Sequence, residues 1–207
     1  MSLEGFVESV SKMYENFLMR DLAYVLGGTV FLGSVIYAYN VNCLIRVSLY
    51  ITHDFFKFIL FLIISYSVGL ILQEGFYLFH LVKIRPREED KKYSEFANPY
   101  DEFMLVKKIK EYSPCVITEI ERIIYFKHFS ATFMASSLSS FFAIILLRMH
   151  FRFIFCFSSY KCPHIPIILF FLLILSIICF WENCYKYEQQ FDTLKKFKNF
   201  FNTEKQT

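Results

Sequence analysis

The sequence predicts an all-α polytopic membrane protein: four transmembrane helices with a small helical cytoplasmic region. Three observations carry this expectation. The 207-residue chain is 56% hydrophobic with mean hydropathy +0.40, above the roughly 45–50% apolar content of soluble domains. Its charged residues, 20% of the total, gather in blocks between apolar runs. Four of those runs reach the roughly 17–25 residues needed to cross an apolar core about 30 Å thick. Net charge is only +3, too little to indicate nucleic-acid binding. The composition also excludes disorder.

The first 21 residues form an N-terminal segment of their own. Leu3, Phe6, Val7, Val10, Tyr14, Phe17 and Leu18 recur at three- and four-residue spacing, which predicts an amphipathic helix. Glu4, Glu8, Glu15 and Asp21 on its polar side oppose a signal-peptide n-region and simple adhesion to anionic lipid. Residues 22–82 hold the first two spans. Leu22–Ile45 carries no charge, and Phe58–Val82 is apolar except for Gln73, Glu74 and His80.

Residues 83–128 are the largest aqueous segment. It opens on Lys83, Arg85, Pro86 and Arg87 and turns at Asn98-Pro99. A short helix is expected over Asp101–Glu111. Ser113-Pro114 then reads as an N-cap with Pro at the first helical position. From there one continuous helix is expected to run into the third span, Phe129–Leu147. Residues 129–181 hold the last two spans, the fourth being Ile165–Trp181. Residues 182–207 are an amphipathic basic C-terminal helix, with Tyr187, Phe191, Leu194, Phe197 and Phe201 along one side. This tail, the central segment and the N-terminal helix together predict a small cytoplasmic bundle.

Orientation follows from Lys and Arg. With four crossings, 17 of the 22 basic residues fall on the side of the two termini and the 83–128 segment. The positive-inside rule places that side in the cytoplasm. The abundance of Phe (27), with Gly and Ala at six each and Pro at five, is the codon bias of an AT-rich genome. A low-GC bacterium and its inner membrane are the expected setting.

Candidate chemistry is sparse. Glu74 stands out, because a carboxylate within a span costs about 2.5 kcal/mol or more and is expected to pair or face a bundle interior. Lys127 and His128, at similar depth on the third span, are its expected partners. Gln73 and His80 complete a candidate intramembrane polar site. Ser136, Ser137, Ser139 and Ser140 give the third span a small polar face, and Gly27, Gly28 and Gly33 let the first span pack closely. Cys156 and Cys162 in the expected external loop are candidates for a disulfide.

Arg122 and His128 fit the R-x(4–6)-H spacing of HEPN-type ribonucleases. Arg46 and His53 fit that pattern too, on the opposite side, so it discriminates little. No phosphate-binding loop, G-x-S-x-G, H-E-x-x-H or cysteine metal box occurs. No catalytic, cofactor-binding or metal residue is assigned, and a non-enzymatic protein is expected.

The junction Ser113-Pro114 … Glu119-Ile120-Glu121-Arg122 … Phe126 … Phe129, leading straight into a span, resembles small bacterial four-span proteins. Among them it is similar to the accessory membrane proteins encoded beside the RNA-guided RNA nuclease of type VI-B CRISPR systems. The resemblance implies modulation of antiviral defence at the inner membrane, by assembling or opening a pore, and carries over no functional residue. Two functions are therefore expected. One is an oligomeric accessory or effector protein in the lipid bilayer, taking a cytoplasmic protein partner through 83–128 and the C-terminal helix. The other is a small ion channel or transporter with Glu74 in its pathway.

Overall fold

The structure, a computed structural model, describes residues 21–38, 41–86, 90, 92–154 and 164–204. The described residues form helices α1 (Asp21–Ala38), α2 (Val41–Thr52), α3 (Phe55–Leu78), α4 (Pro99–Tyr112), α5 (Pro114–Ile154) and α6 (Ile165–Glu204). A 3-10 turn covers Ser94–Phe96, and no strand occurs among the described residues. The protein is all-helical, and α1, α3, α5 and α6 are each long and apolar enough to cross a membrane.

Local chemistry sets the boundaries, and three differ from expectation. The first span was expected to reach Ile45 with a loop after it. Helix is described as far as Ala38 and again, as α2, from Val41 to Thr52, so much of that expected loop is helical. Its Ile45, Leu49 and Tyr50 are exposed. α3 begins at Phe55 rather than Phe58, because the Asp54 carboxylate accepts the Phe56 N–H at 3.0 Å and caps the helix. α3 also ends at Leu78, short of Val82. There His80 takes φ 61°, the Leu81 N–H reaches Phe76 O (2.9 Å) and the His80 N–H reaches Tyr77 O (3.1 Å). This is a Schellman closure, with histidine where glycine is usual. The freed chain turns inward, burying Val82 and Ile84 against Ala131, Met134 and Cys179.

α4 starts at Pro99, with the Asn98 side chain accepting the Tyr100 N–H at 3.0 Å. Ser113 separates it from α5. α5 has 41 residues and α6 has 40. At 1.5 Å per residue each is about 60 Å long, twice a bilayer core. Pro, which breaks helix interiors, is absent from α5 after its first residue and from α6 after Pro166.

The two long helices run antiparallel and share three apolar cores. At one end Ile144 and Leu172 meet Ala38 of α1. In the middle Ala131, Met134 and Cys179 meet Val82 and Ile84. Beyond the spans, Ile117 and Ile120 of α5 and Tyr187, Phe191 and Leu194 of α6 meet Tyr93, Phe96, Leu105 and Ile109. This last core makes the 3-10 turn, α4 and the outer ends of α5 and α6 one extramembrane unit. Trp181 and Tyr185, both exposed, mark where α6 leaves the apolar zone, as aromatic residues do at interfaces.

Candidate functional site

α1 and α3 approach until side chains no longer fit between them. A methyl group at Gly28 would lie 1.8 Å from Ser65 O, and one at Gly69 would lie 2.0 Å from Tyr24 O. Gly27 faces α5, where a methyl would lie 2.6 Å from Thr132 Cγ2 and 2.8 Å from Ser136 Oγ. Gly33, expected to share this role, has nothing within 4 Å. The buried stripe of α3 is Ser65, Gly69 and Gln73, spaced by four.

Gln73 is fully buried where the three helices meet. Its Nε2 donates to Tyr24 Oη (3.3 Å) and lies 3.4 Å from His128 Nδ1. Thr132 Oγ1 lies 2.5 Å from Gln73 Oε1 and 2.9 Å from the His128 carbonyl, sharing one proton between them. Among the serines of α5, Ser130 and Ser137 donate to carbonyls of the preceding turn. The hydroxyls of Ser136, Ser140 and, on α3, Ser65 are buried without a hydrogen-bond partner among the described residues.

Glu74 does not join this network. A residue advances 100° around a helix, so Glu74 points away from Gln73 and is exposed on the outside of α3. It is paired with neither Lys127 nor His128. His80 lies past the end of α3 in the helix closure and is exposed. Cys156 and Cys162 lie outside the described residues; Cys179 is a buried free thiol and Cys184 a half-buried one.

Lys127 is 3% exposed and anchors a second network. Its Nζ donates to Ile84 O and to Gln190 Oε1, both at 2.6 Å, and sits 5.3 Å from the Phe191 ring centroid. Gln190 Nε2 in turn donates to Glu102 Oε1 of α4 at 2.6 Å. Asn183, fully buried, clamps the same level. It accepts the Lys83 N–H (2.8 Å) and donates to the carbonyls of Lys83 (3.1 Å) and Lys127 (3.0 Å). Burial pushes the Glu102 carboxyl above the ordinary glutamate range, while the Lys127 and Arg85 charges and the Gln190 amide pull it back.

Together these bonds tie α4, α5, α6 and the segment after α3 where the spans become the extramembrane unit. Spacing alone did not reveal Tyr24, Glu102, Thr132, Asn183 and Gln190. A signal existed for two of them, since Asn183 and Gln190 fall on the stripe of α6 that carries Tyr187, Phe191 and Leu194.

No protein-family model matches the chain, and no curated protein or solved structure matches it. Arg122 and His128 are not brought together: Arg122 is exposed and lies 3.7 Å from Glu119, whereas His128 turns into the Gln73 network. Among the described residues no group of three or more His, Cys, Asp or Glu is placed to hold a metal ion.

Proposed function

We propose that this is a non-enzymatic effector of a bacterial inner membrane that self-associates in the bilayer and takes a protein partner on its cytoplasmic unit. One observation carries the reading: α5 and α6 pass without a break from the apolar zone into the extramembrane core. Whatever binds that core therefore acts directly on two of the four spans. The polar clamp at Lys127 and Asn183 supports the same view, because it fixes the unit to the spans. The basic-residue count supports a cytoplasmic position for the unit and both termini. The resemblance of the α5 junction to type VI-B CRISPR accessory proteins supports a role in antiviral defence, with a pore as the output. Because Glu74 faces outward, any ion path lined by it belongs between copies of the chain, not within one.

Two measurements test the reading. Alkaline phosphatase fused after Thr207 is expected to be inactive, and fused after Tyr160 active; the reverse pattern would overturn the orientation. Light scattering of the purified protein in detergent is expected to give the mass of several chains, with ion flux from liposomes. A single-chain mass without flux would sink self-association as the mode of action.

A further inference from the structure

A hydroxyl inside a span can satisfy itself by donating to a carbonyl of the preceding turn of its own helix. Ser130 and Ser137 of α5 do so, as do Thr29 and Ser34 of α1. Ser136 and Ser140 of α5 and Ser65 of α3 do not. Each is fully buried, and its Oγ has no hydrogen-bond partner among the described residues. They belong to the seam where α1, α3 and α5 meet. The Ser136 Oγ lies 2.8 Å from where a methyl of Gly27 would sit, and the Ser65 carbonyl lies against Gly28, the next residue. Ser140 is one turn further along α5. One turn before Ser136 comes Thr132, and one turn before that His128, both joined to Gln73. His128, Thr132, Ser136 and Ser140 thus make a polar stripe at four-residue spacing, and Gln73, Gly69 and Ser65 answer it from α3 at the same spacing.

We propose that this seam binds a single file of water running from His128 to Ser140. Three considerations select water. The first is cost. A hydroxyl left unpaired in an apolar core is expensive, and a buried water shared among polar groups is the usual remedy. The second is spacing. Four residues of helix rise about 6 Å, the length of two hydrogen bonds of about 3 Å joined through one water. The third is chemistry. A serine hydroxyl both donates and accepts, as a bridging water requires. An ion is disfavoured, because α1 from Tyr24 to Ser34, α3 from Leu60 to Gln73 and α5 from His128 to Ser140 hold no carboxylate and no Lys or Arg. The close crossing of α1 and α3 at Gly28 keeps the file narrow. It opens to one side only. His128 is half-buried, at the end that carries the extramembrane unit. One turn beyond Ser140 the stripe ends on Ile144, packed with Ala38 and Leu172 as an apolar seal. The seam is therefore half of a path across the bilayer. It lies inside one chain and requires neither the partner nor the self-association proposed above.

Water-edited solid-state NMR of the full-length protein in lipid vesicles, in which magnetisation starts on water and is read on carbon, tests the file. The Cβ signals of Ser65, Ser136 and Ser140 are expected to build up severalfold faster than that of Ser137, an equally buried serine that donates to its own helix. Ile144 should be as slow as Ser137. Ser136→Ala removes one hydroxyl and adds no atom. It should slow Ser140 severalfold and leave Thr132 unchanged, since water enters from the His128 end. Build-up at Ser136 and Ser140 no faster than at Ser137 overturns the proposal. So does a Ser140 signal unmoved by Ser136→Ala, which would mean that no file links the two. The mass of the protein in detergent is untouched by either result, so the water file and self-association stand or fail separately.

Discussion

The Lys127 ammonium and the Gln190 side-chain oxygen lie 2.6 Å apart in a site closed to solvent, and no carboxylate among the described residues touches the lysine directly. The nearest negative charge, Glu102, is reached through the other end of the same glutamine. Gln190 thus relays between an ammonium and a carboxylate on different helices, using its oxygen for one and its amide for the other.

Removing the relay should cost more than removing the charge. Lys127→Met leaves two acceptors unpaired and is expected to lower stability by about 1–3 kcal/mol. Gln190→Leu leaves a buried ammonium with a single carbonyl and should cost more, about 3–5 kcal/mol. The double variant should recover part of that loss, since both partners are then apolar. Thermal unfolding in detergent, followed by circular dichroism, gives all three values; additive losses would contradict the coupling.

Glu102 predicts a pH dependence. Burial raises its carboxyl above the ordinary range, so the folded state holds this proton more tightly than the unfolded state does. Its contribution is fully present below the unfolded value and is lost as pH rises through the folded value. The melting temperature of the wild type relative to Glu102→Gln should therefore fall from acid towards neutral pH. A difference that rises over that interval would reverse the assignment.

The α1–α3 crossing predicts a contrast between glycines. Gly28→Ala forces its methyl against Ser65 O and should cost about 1–3 kcal/mol or more, because backbones have to separate. Gly33→Ala meets open space and should be neutral or stabilising by up to about 1 kcal/mol. Equal effects in a melting assay would mean that the helices do not cross at Gly28.

Neighbouring residues on α3 should behave oppositely. Gln73→Leu removes the bonds to Tyr24 and Thr132 and should cost about 1 kcal/mol, the usual scale for polar contacts between spans. Glu74→Ala, at an exposed position, should stay within about 0.5 kcal/mol. A larger loss at Glu74 than at Gln73 would point to a contact made by another copy.

This pair also shows how much the sequence made legible. Hydropathy sums located four spans and missing Pro made α5 one long helix, because both are visible residue by residue; α6 joins the fourth span and the C-terminal helix, which were expected as separate segments. Hydropathy sums carry no angle, so the costly residue Glu74 drew the expectation while Gln73, one position away, does the pairing. The four-residue spacing of Ser65, Gly69 and Gln73 held the missing angle. The end of α3 was hidden differently. Leu81 and Val82 are as apolar as a span, but the left-handed turn at His80 depends on the later burial of Val82 and Ile84 against α5 and α6. Lys127 was singled out from its depth, but its partner Gln190 and the Glu102 that Gln190 reaches lie 63 residues later and 25 earlier, beyond the reach of any local pattern.

The clamp level also divides α5 unequally. From Lys127 to Pro114 is 13 residues, about 20 Å, while from Lys127 to Ile154 is 27 residues, about 40 Å. Held at that level by Asn183 and Gln190, a stiff helix tilts as a lever whose arm through the membrane is twice the arm outside it. A displacement of about 2 Å at the α4–α5 turn then becomes about 4 Å at the far end of α5, close to the spacing of two packed methyl groups. In such a rigid tilt, a small displacement of the extramembrane unit would be doubled at the other end of α5.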